Sequence, residues 1–301
     1  MLTHPAPAAV ELTNATKTFG SVQALKGVSL AVQPGETVAF LGPNGAGKTT
    51  AISLMLGLRS PTSGSAAIFG QNPRNPANRS RIGVMLQESG VPTTLKVREV
   101  IEMFRRLYPR PLSVAAVLEA AQIGEKANAL TANLSGGQRQ RLYFALALVG
   151  DPDVLFLDEP TVALDVESRR VFWEHITALV KRGKTIVLTT HYLEEADALA
   201  DRIVVINQGS IVAEGTPREI KARVGGKNVR FRAPGLADAT LAGLPDVARF
   251  SRAGDSVEIY TLQPEAVLRE LFRREVALSE LEVVGAGLEE AFVSITNQGD
   301  N

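Results

Sequence analysis

The chain has no cysteine, so it can form neither a disulfide nor a thiolate metal site. Histidine is nearly as scarce. His4, His175 and His191 are scattered along 301 residues and do not make a metal site. No charge of either sign is in surplus, with 32 Lys and Arg against 32 Asp and Glu. Nothing in that balance calls for a nucleic acid, which demands a basic face. Long hydrophobic runs are missing too. The most apolar uncharged stretch within a predicted helix is Leu142–Gly150, LYFALALVG. That is far short of the roughly 20 residues a spanning helix needs. The opening MLTHPAPAAVELT has no basic region and no apolar core, so no signal peptide is expected. What remains is an ordinary globular composition, 45% hydrophobic and 21% charged, with length for one large domain and a smaller one.

Short apolar runs alternate with helical patterns as far as residue 223. Strands are predicted at 37–41, 153–157, 185–190 and 202–207. Helices are predicted at 47–58, 139–149, 166–181 and 192–200. Buried strands separated by helices predict a parallel sheet with helical crossovers. The opening segments VELTNATKTFG and GVSLAVQPG read as an antiparallel edge hairpin. Gly225 and Gly226 mark a linker, giving domains at 1–223 and 224–301. The second has the order β-α-β-β-α-β, the ferredoxin-like pattern. The fold expected is therefore α/β, with a small α+β domain behind it.

Residues 41–50, LGPNGAGKTT, form a phosphate-binding loop between a strand and a helix. Its members are Gly42, Pro43, Asn44, Gly45, Ala46, Gly47, Lys48, Thr49 and Thr50. Gly45 and Gly47 free the backbone to aim consecutive N–H groups at one anion. The helix beginning near Gly47 adds the positive end of its dipole. Lys48 is placed for the β- and γ-phosphates, and the Thr49 hydroxyl for Mg²⁺. The plainer reading, a glycine-rich turn before a helix, does not require the lysine or the hydroxyls.

The stretch VLFLDEP, Val154–Pro160, is a buried strand ending in two acids. A carboxylate there lies beside the phosphate loop. Asp158 is placed to hold Mg²⁺ through water, and Glu159 to polarise the attacking water. Leu134–Gln138, LSGGQ, precedes another helix. By composition that pentapeptide belongs in well under roughly one such chain in a thousand. Ser135 with the amides of Gly136 and Gly137 makes a second anion-binding helix end. A serine-capped helix would explain the serine alone. Two phosphate-grasping helix ends in one chain suggest two chains clamping shared nucleotides.

With these motifs in this order, the chain resembles the nucleotide-binding subunit of ATP-binding cassette (ABC) transporters over about residues 8–223. The resemblance implies a P-loop NTPase core with an antiparallel β edge and a helical signature subdomain. It implies ATP and Mg²⁺ as ligands, a second cassette as partner in a homodimer or heterodimer, and separate transmembrane permease subunits. It places the chain at the cytoplasmic face of the membrane. Phe19 would stack on adenine, where the family more often has tyrosine. Gln87 would touch Mg²⁺ or the lytic water. Gln138 belongs to the signature, Asp165 would order the opposite chain's phosphate loop, and His191 would contact the γ-phosphate. Where the family's loop usually reads Ser/Ala-Gly-Leu-Asp-Pro, this chain has Val162, Ala163, Leu164, Asp165 and Val166. Gly90–Leu107 would help form the groove where a permease docks. The ending GLEEAFVSIT, Gly287–Thr296, resembles the extra C-terminal region of ABC-2 type exporter ATPases. The alternative reading is a soluble ABC ATPase of translation or repair. The single cassette and the short interval between phosphate loop and signature, without heptads, weigh against it. A P-loop kinase or switch GTPase would not carry LSGGQ. Trp173 and His175 share one amphipathic helix and are expected to pack or face solvent.

Overall fold

The structure is a computed structural model that describes residues 7–86, 90–223 and 225–298. It divides into two compact units, residues 1–214 and 215–301. The division falls nine residues before the linker expected from Gly225 and Gly226, between Glu214 and Gly215. The helix from Pro217 to Ala222 packs on the last helix of the chain and so belongs with the second unit.

In the first unit, β1 (Val10–Phe19), β2 (Val22–Val32) and, after an intervening strand and helix, β4 (Ser63–Ile68) make an antiparallel sheet in the order β2-β1-β4. This is the edge hairpin expected from the sequence, with one more strand added. Between these come β3 (Thr37–Leu41) and α1 (Lys48–Met55). Then follow α2 (Pro76–Arg79), β5 (Ile82–Met85), α3 (Val97–Arg105), α4 (Val114–Ala120), α5 (Gly136–Leu148) and β6 (Val154–Asp158). The unit continues through α6 (Val166–Lys181), β7 (Thr185–Thr189), α7 (Leu193–Leu199), β8 (Arg202–Asn207) and β9 (Ser210–Gly215).

The second sheet has six strands in the order β5-β6-β7-β3-β8-β9. The pairs β5–β6, β6–β7, β7–β3 and β3–β8 are all parallel. Every residue of β3, β6 and β7 is buried. That explains their unbroken apolar runs, since strands covered on both faces have no polar side to show. Phe40, Phe156, Val187 and Val204 join Ile52, Leu54 and Met55 of α1 in one core that extends to Leu12 and Leu25 of the antiparallel sheet. Because β6, β7 and β3 are parallel neighbours, their C-terminal ends share one edge. The phosphate loop, the acid pair and His191 all follow those ends.

The second unit runs α8 (Pro217–Ala222), β10 (Lys227–Arg232), α9 (Asp238–Ala242), β11 (Val247–Ala253), β12 (Ser256–Thr261), α10 (Pro264–Arg273), β13 (Ser279–Gly285) and α11 (Leu288–Gln298). Its four strands pair antiparallel in the order β11-β12-β10-β13, the ferredoxin-like arrangement read from the sequence. Val229, Phe231, Val257 and Ile259 bury one sheet face against Leu241, Val267 and Leu271 of the two helices. No helix among the described residues is long and apolar enough to cross a membrane.

Candidate active site

The loop after β3 is shaped by what a side chain would strike. A Cβ on Gly42 would stand 2.3 Å from the Ile206 carbonyl oxygen. Gly47, at φ +112°, caps α1, and a Cβ there would meet the Ala24 carbonyl at 2.8 Å. The chain can pass here only as glycine. Lys48 is buried as the first residue of α1. Its Nζ donates to the carbonyls of Gly42 at 2.6 Å and Pro43 at 3.1 Å. Burial pulls the ammonium below its usual range, while Glu159 and Asp158 push it back up. The first N–H groups of α1 have no intrahelical acceptor.

Asp158 ends β6, nearly buried at 5% exposure. Burial raises its carboxyl above the usual range. The Thr189 hydroxyl, which donates to Oδ1, and Lys48 work against that rise. The same hydroxyl accepts from the Glu159 backbone N–H at 3.1 Å. Thr189, the last residue of β7, thus holds both acids in place. Glu159 sits at φ +49°, a left-handed conformation that costs a non-glycine residue about 1 kcal/mol or more. The turn aims its carboxylate at His191, with Oε2 3.5 Å from Nδ1. Gln140 of α5 steadies the turn by donating to the Glu159 carbonyl at 3.2 Å.

These groups enclose a cavity of about 350 Å³. Its walls are Ala24, the loop residues Asn44, Gly45, Gly47, Lys48, Thr49 and Thr50, and the acids Asp158 and Glu159. A buried cation facing two acids at the start of a helix suits a triphosphate with a divalent cation. Mg²⁺ needs few protein ligands, since phosphates and water supply the rest of its shell. No cluster of three or more acid or histidine side chains able to hold a metal exists among the described residues.

The other expected residues lie outside this cavity. Phe19 is exposed at the end of β1, with the Lys17 ammonium 5.3 Å and the Arg59 guanidinium 5.0 Å from its ring centre. Ser135 caps α5, accepting from the Gln138 N–H at 3.3 Å, while Gln138 Oε1 accepts from the Ser135 N–H at 3.1 Å. This reciprocal box starts the helix at Gly136, three residues earlier than the glycine pair suggests. Gly136 and Gly137 lie against Ala163 and Leu164, so a Cβ on Gly137 would stand 3.3 Å from the Leu164 side chain. Asp165 caps α6 by accepting from the N–H and hydroxyl of Ser168, which hold its carboxyl below the usual range. Arg141 of α5 donates to that same Ser168 hydroxyl at 3.0 Å. Gln87 and His4 lie outside the described residues.

The sequence reading missed Thr189, Gln140 and Ser168. Thr189 had a signal, a threonine at the end of an apolar strand two residues before His191. Ser168 had one too, a serine three residues after the capping Asp165, whereas Gln140 had none, since its partner lies 19 residues away.

The sequence profile of the family described as "ABC transporter" matches residues 25–162. A relative in Burkholderia lata, Nod factor export ATP-binding protein I, is 37% identical over 97% of this chain and 98% of its own length. A relative of the same name in Burkholderia thailandensis is 38% identical with the same coverage. The chain belongs to the ABC transporter family. Among solved structures it is similar to the dimeric ATP-binding cassette MJ0796 in a post-hydrolysis state with ADP and Pi. The TM-score is 0.64 and the identity 29%, over 69% of this chain and 98% of the other. This ABC protein is an ATPase. The P-loop cassette core expected from the sequence is the fold it has.

Proposed function

We propose that this ABC ATPase powers a separate membrane permease of the export type. The observation that carries the proposal is the meeting of Lys48, Asp158 and Glu159 around one cavity, at the ends of three adjacent parallel strands, with His191 beside Glu159. Export is supported by the relatives in Burkholderia, whose names place them in Nod factor export.

ATP lies with its phosphates in the loop 42–50. Lys48 turns from the Gly42 and Pro43 carbonyls to the β- and γ-phosphates. Mg²⁺ held by Thr49 and Asp158, and by Gln87 as the resemblance has it, would neutralise phosphate charge. Glu159 accepts a proton from the water that attacks the γ-phosphorus. The bond to the bridging oxygen breaks and ADP leaves with that oxygen. His191 keeps the Glu159 carboxylate in line. Phe19 stacks on the adenine ring.

The signature residues Ser135, Gly136, Gly137 and Gln138 lie outside the cavity of their own chain, and so does Asp165. They reach ATP held by a second cassette, a copy of this chain or a relative, and complete the site when the two close. ATP closes the pair, hydrolysis opens it, and the permease follows. A groove lined by Leu95, Lys96, Met103 and Val114, which overlaps the segment 90–107 expected for docking and extends to the start of α4, offers the permease a surface. The protein then works as a peripheral subunit at the cytoplasmic face. The second unit supports dimerisation or regulation.

The test is a pull-down of tagged Glu159→Gln with ATP from gently solubilised native cells. Stoichiometric recovery of a polytopic membrane protein is expected. Recovery of soluble partners or ribosomes alone would leave the ATPase and remove the transport reading.

A further inference from the structure

Glu195 on α7 is an acid with no solvent exposure, four residues past His191. The proposed reaction gives it no part. Its Oε1 accepts from Trp173 Nε1 of α6 at 3.2 Å. The hydroxyls of Thr190 and Thr161 and the Arg169 guanidinium also face its carboxyl. Each neighbour belongs to the catalytic surroundings. Thr161 follows Glu159 by two residues, and Thr190 directly precedes His191. Arg169 lies 3.9 Å over the Tyr192 ring, which packs 4.1 Å from the His191 ring, centre to centre. Arg169 and Trp173 are four apart on α6 and so share one face.

A buried acid surrounded only by packing would be replaceable by an apolar residue of similar volume. This one accepts a hydrogen bond from Trp173 of α6 and faces hydroxyls on two other segments, at Thr161 and Thr190. Three atoms of the cluster, Glu195 Oε2, Thr161 Oγ1 and Arg169 Nε, have no hydrogen-bond partner. Buried polar atoms rarely stay unpaired, and three in one cluster call for a physical reason. A hydrogen bond between Thr161 Oγ1 and Glu195 Oε2 would satisfy two of the three and tie the 161–165 turn to α7.

We infer that Glu195 is a positioning residue that fastens the 161–165 turn to the His191 loop and so keeps Glu159 and His191 in line for hydrolysis. The inference rests on the roles proposed above for that pair.

The experiment compares ATP affinity and steady-state hydrolysis in wild type, Glu195→Ala, Glu195→Gln, Trp173→Phe and Glu159→Gln, per folded molecule. Glu195→Ala should lower kcat by about 10- to 100-fold, the scale of a misplaced catalytic group, with ATP affinity unchanged. Glu195→Gln keeps the acceptor and should recover kcat to within about 3-fold of wild type, while Trp173→Phe loses one hydrogen bond and about 5-fold in kcat. Unchanged kcat in Glu195→Ala would overturn the inference, and so would a Gln variant as slow as Ala. If Glu195→Ala does not fold, unchanged kcat in Trp173→Phe overturns it. Glu159→Gln separates the two levels. Prompt turnover there sinks the roles of the pair, whereas an inert Glu159→Gln beside a fully active Glu195→Ala sinks this inference alone.

Discussion

His191 Nδ1 lies 3.5 Å from Glu159 Oε2, across the ends of two neighbouring parallel strands. The histidine side chain is half exposed and the carboxylate is 14% exposed, so the contact stands at the mouth of the cavity. Replacing His191 by Ala should lower kcat by about 100-fold, within the range for a group that supports proton transfer, and leave ATP affinity nearly unchanged. Equilibrium nucleotide binding beside steady-state turnover checks this. A proportionate loss of affinity would place His191 in binding instead.

Lys48 is already desolvated in its own loop, so nucleotide has only to exchange two carbonyls for phosphate oxygens. Lys48→Ala should abolish ATP binding or hydrolysis while the melting temperature holds. A fully active variant would remove the phosphate-loop assignment.

Ala163 holds φ +67° in the loop where the family usually has glycine. An alanine in the left-handed region is strained, and the strain exceeds the unfolded-state entropy that glycine adds. Ala163→Gly should therefore stabilise the protein by about 0.5–1 kcal/mol. Denaturant unfolding measures it, and a loss of stability would mean that the loop relaxes its strain elsewhere.

Burial raises the Glu195 carboxyl above its ordinary value, against the Trp173 hydrogen bond, the facing hydroxyls of Thr190 and Thr161 and the nearby Arg169 charge. The folded state therefore binds this proton more tightly than the unfolded state does. Its contribution is fully present below the ordinary carboxyl value of 4.5 and is lost as pH rises through the folded value. Glu195→Gln cannot lose a proton. Thermal melts should show the variant gaining on wild type as pH climbs from 4.5. A difference independent of pH would contradict the shift.

Much of the site is legible in the sequence because its chemistry dictates residue types. A backbone that aims its amides at a phosphate takes conformations that a Cβ forbids, so Gly45 and Gly47 announce themselves. The unbroken apolar strands β3, β6 and β7 announce a parallel sheet, and parallel neighbours put their loops on one edge. What stays hidden depends on partners far along the chain. Trp173 reads as packing on its own helix, yet its N–H serves Glu195, 22 residues on. The left-handed turn at Glu159 leaves no mark, since nothing about a glutamate announces positive φ. A helix is expected from Arg139, yet α5 starts at Gly136, because the Ser135–Gln138 box outweighs the poor helix propensity of the two glycines. Gly225 and Gly226 advertise a linker, whereas the packing of α8 on α11 is silent in the sequence.

The central claim is that Glu159 accepts the proton from the attacking water. The most direct measurement is ATP turnover by Glu159→Gln at saturating Mg²⁺-ATP, with the solution mass followed in parallel. The account predicts a fall in kcat of at least about 100-fold, with ATP retained and the mass doubled on nucleotide addition. Turnover within a few-fold of wild type would contradict it and require another base.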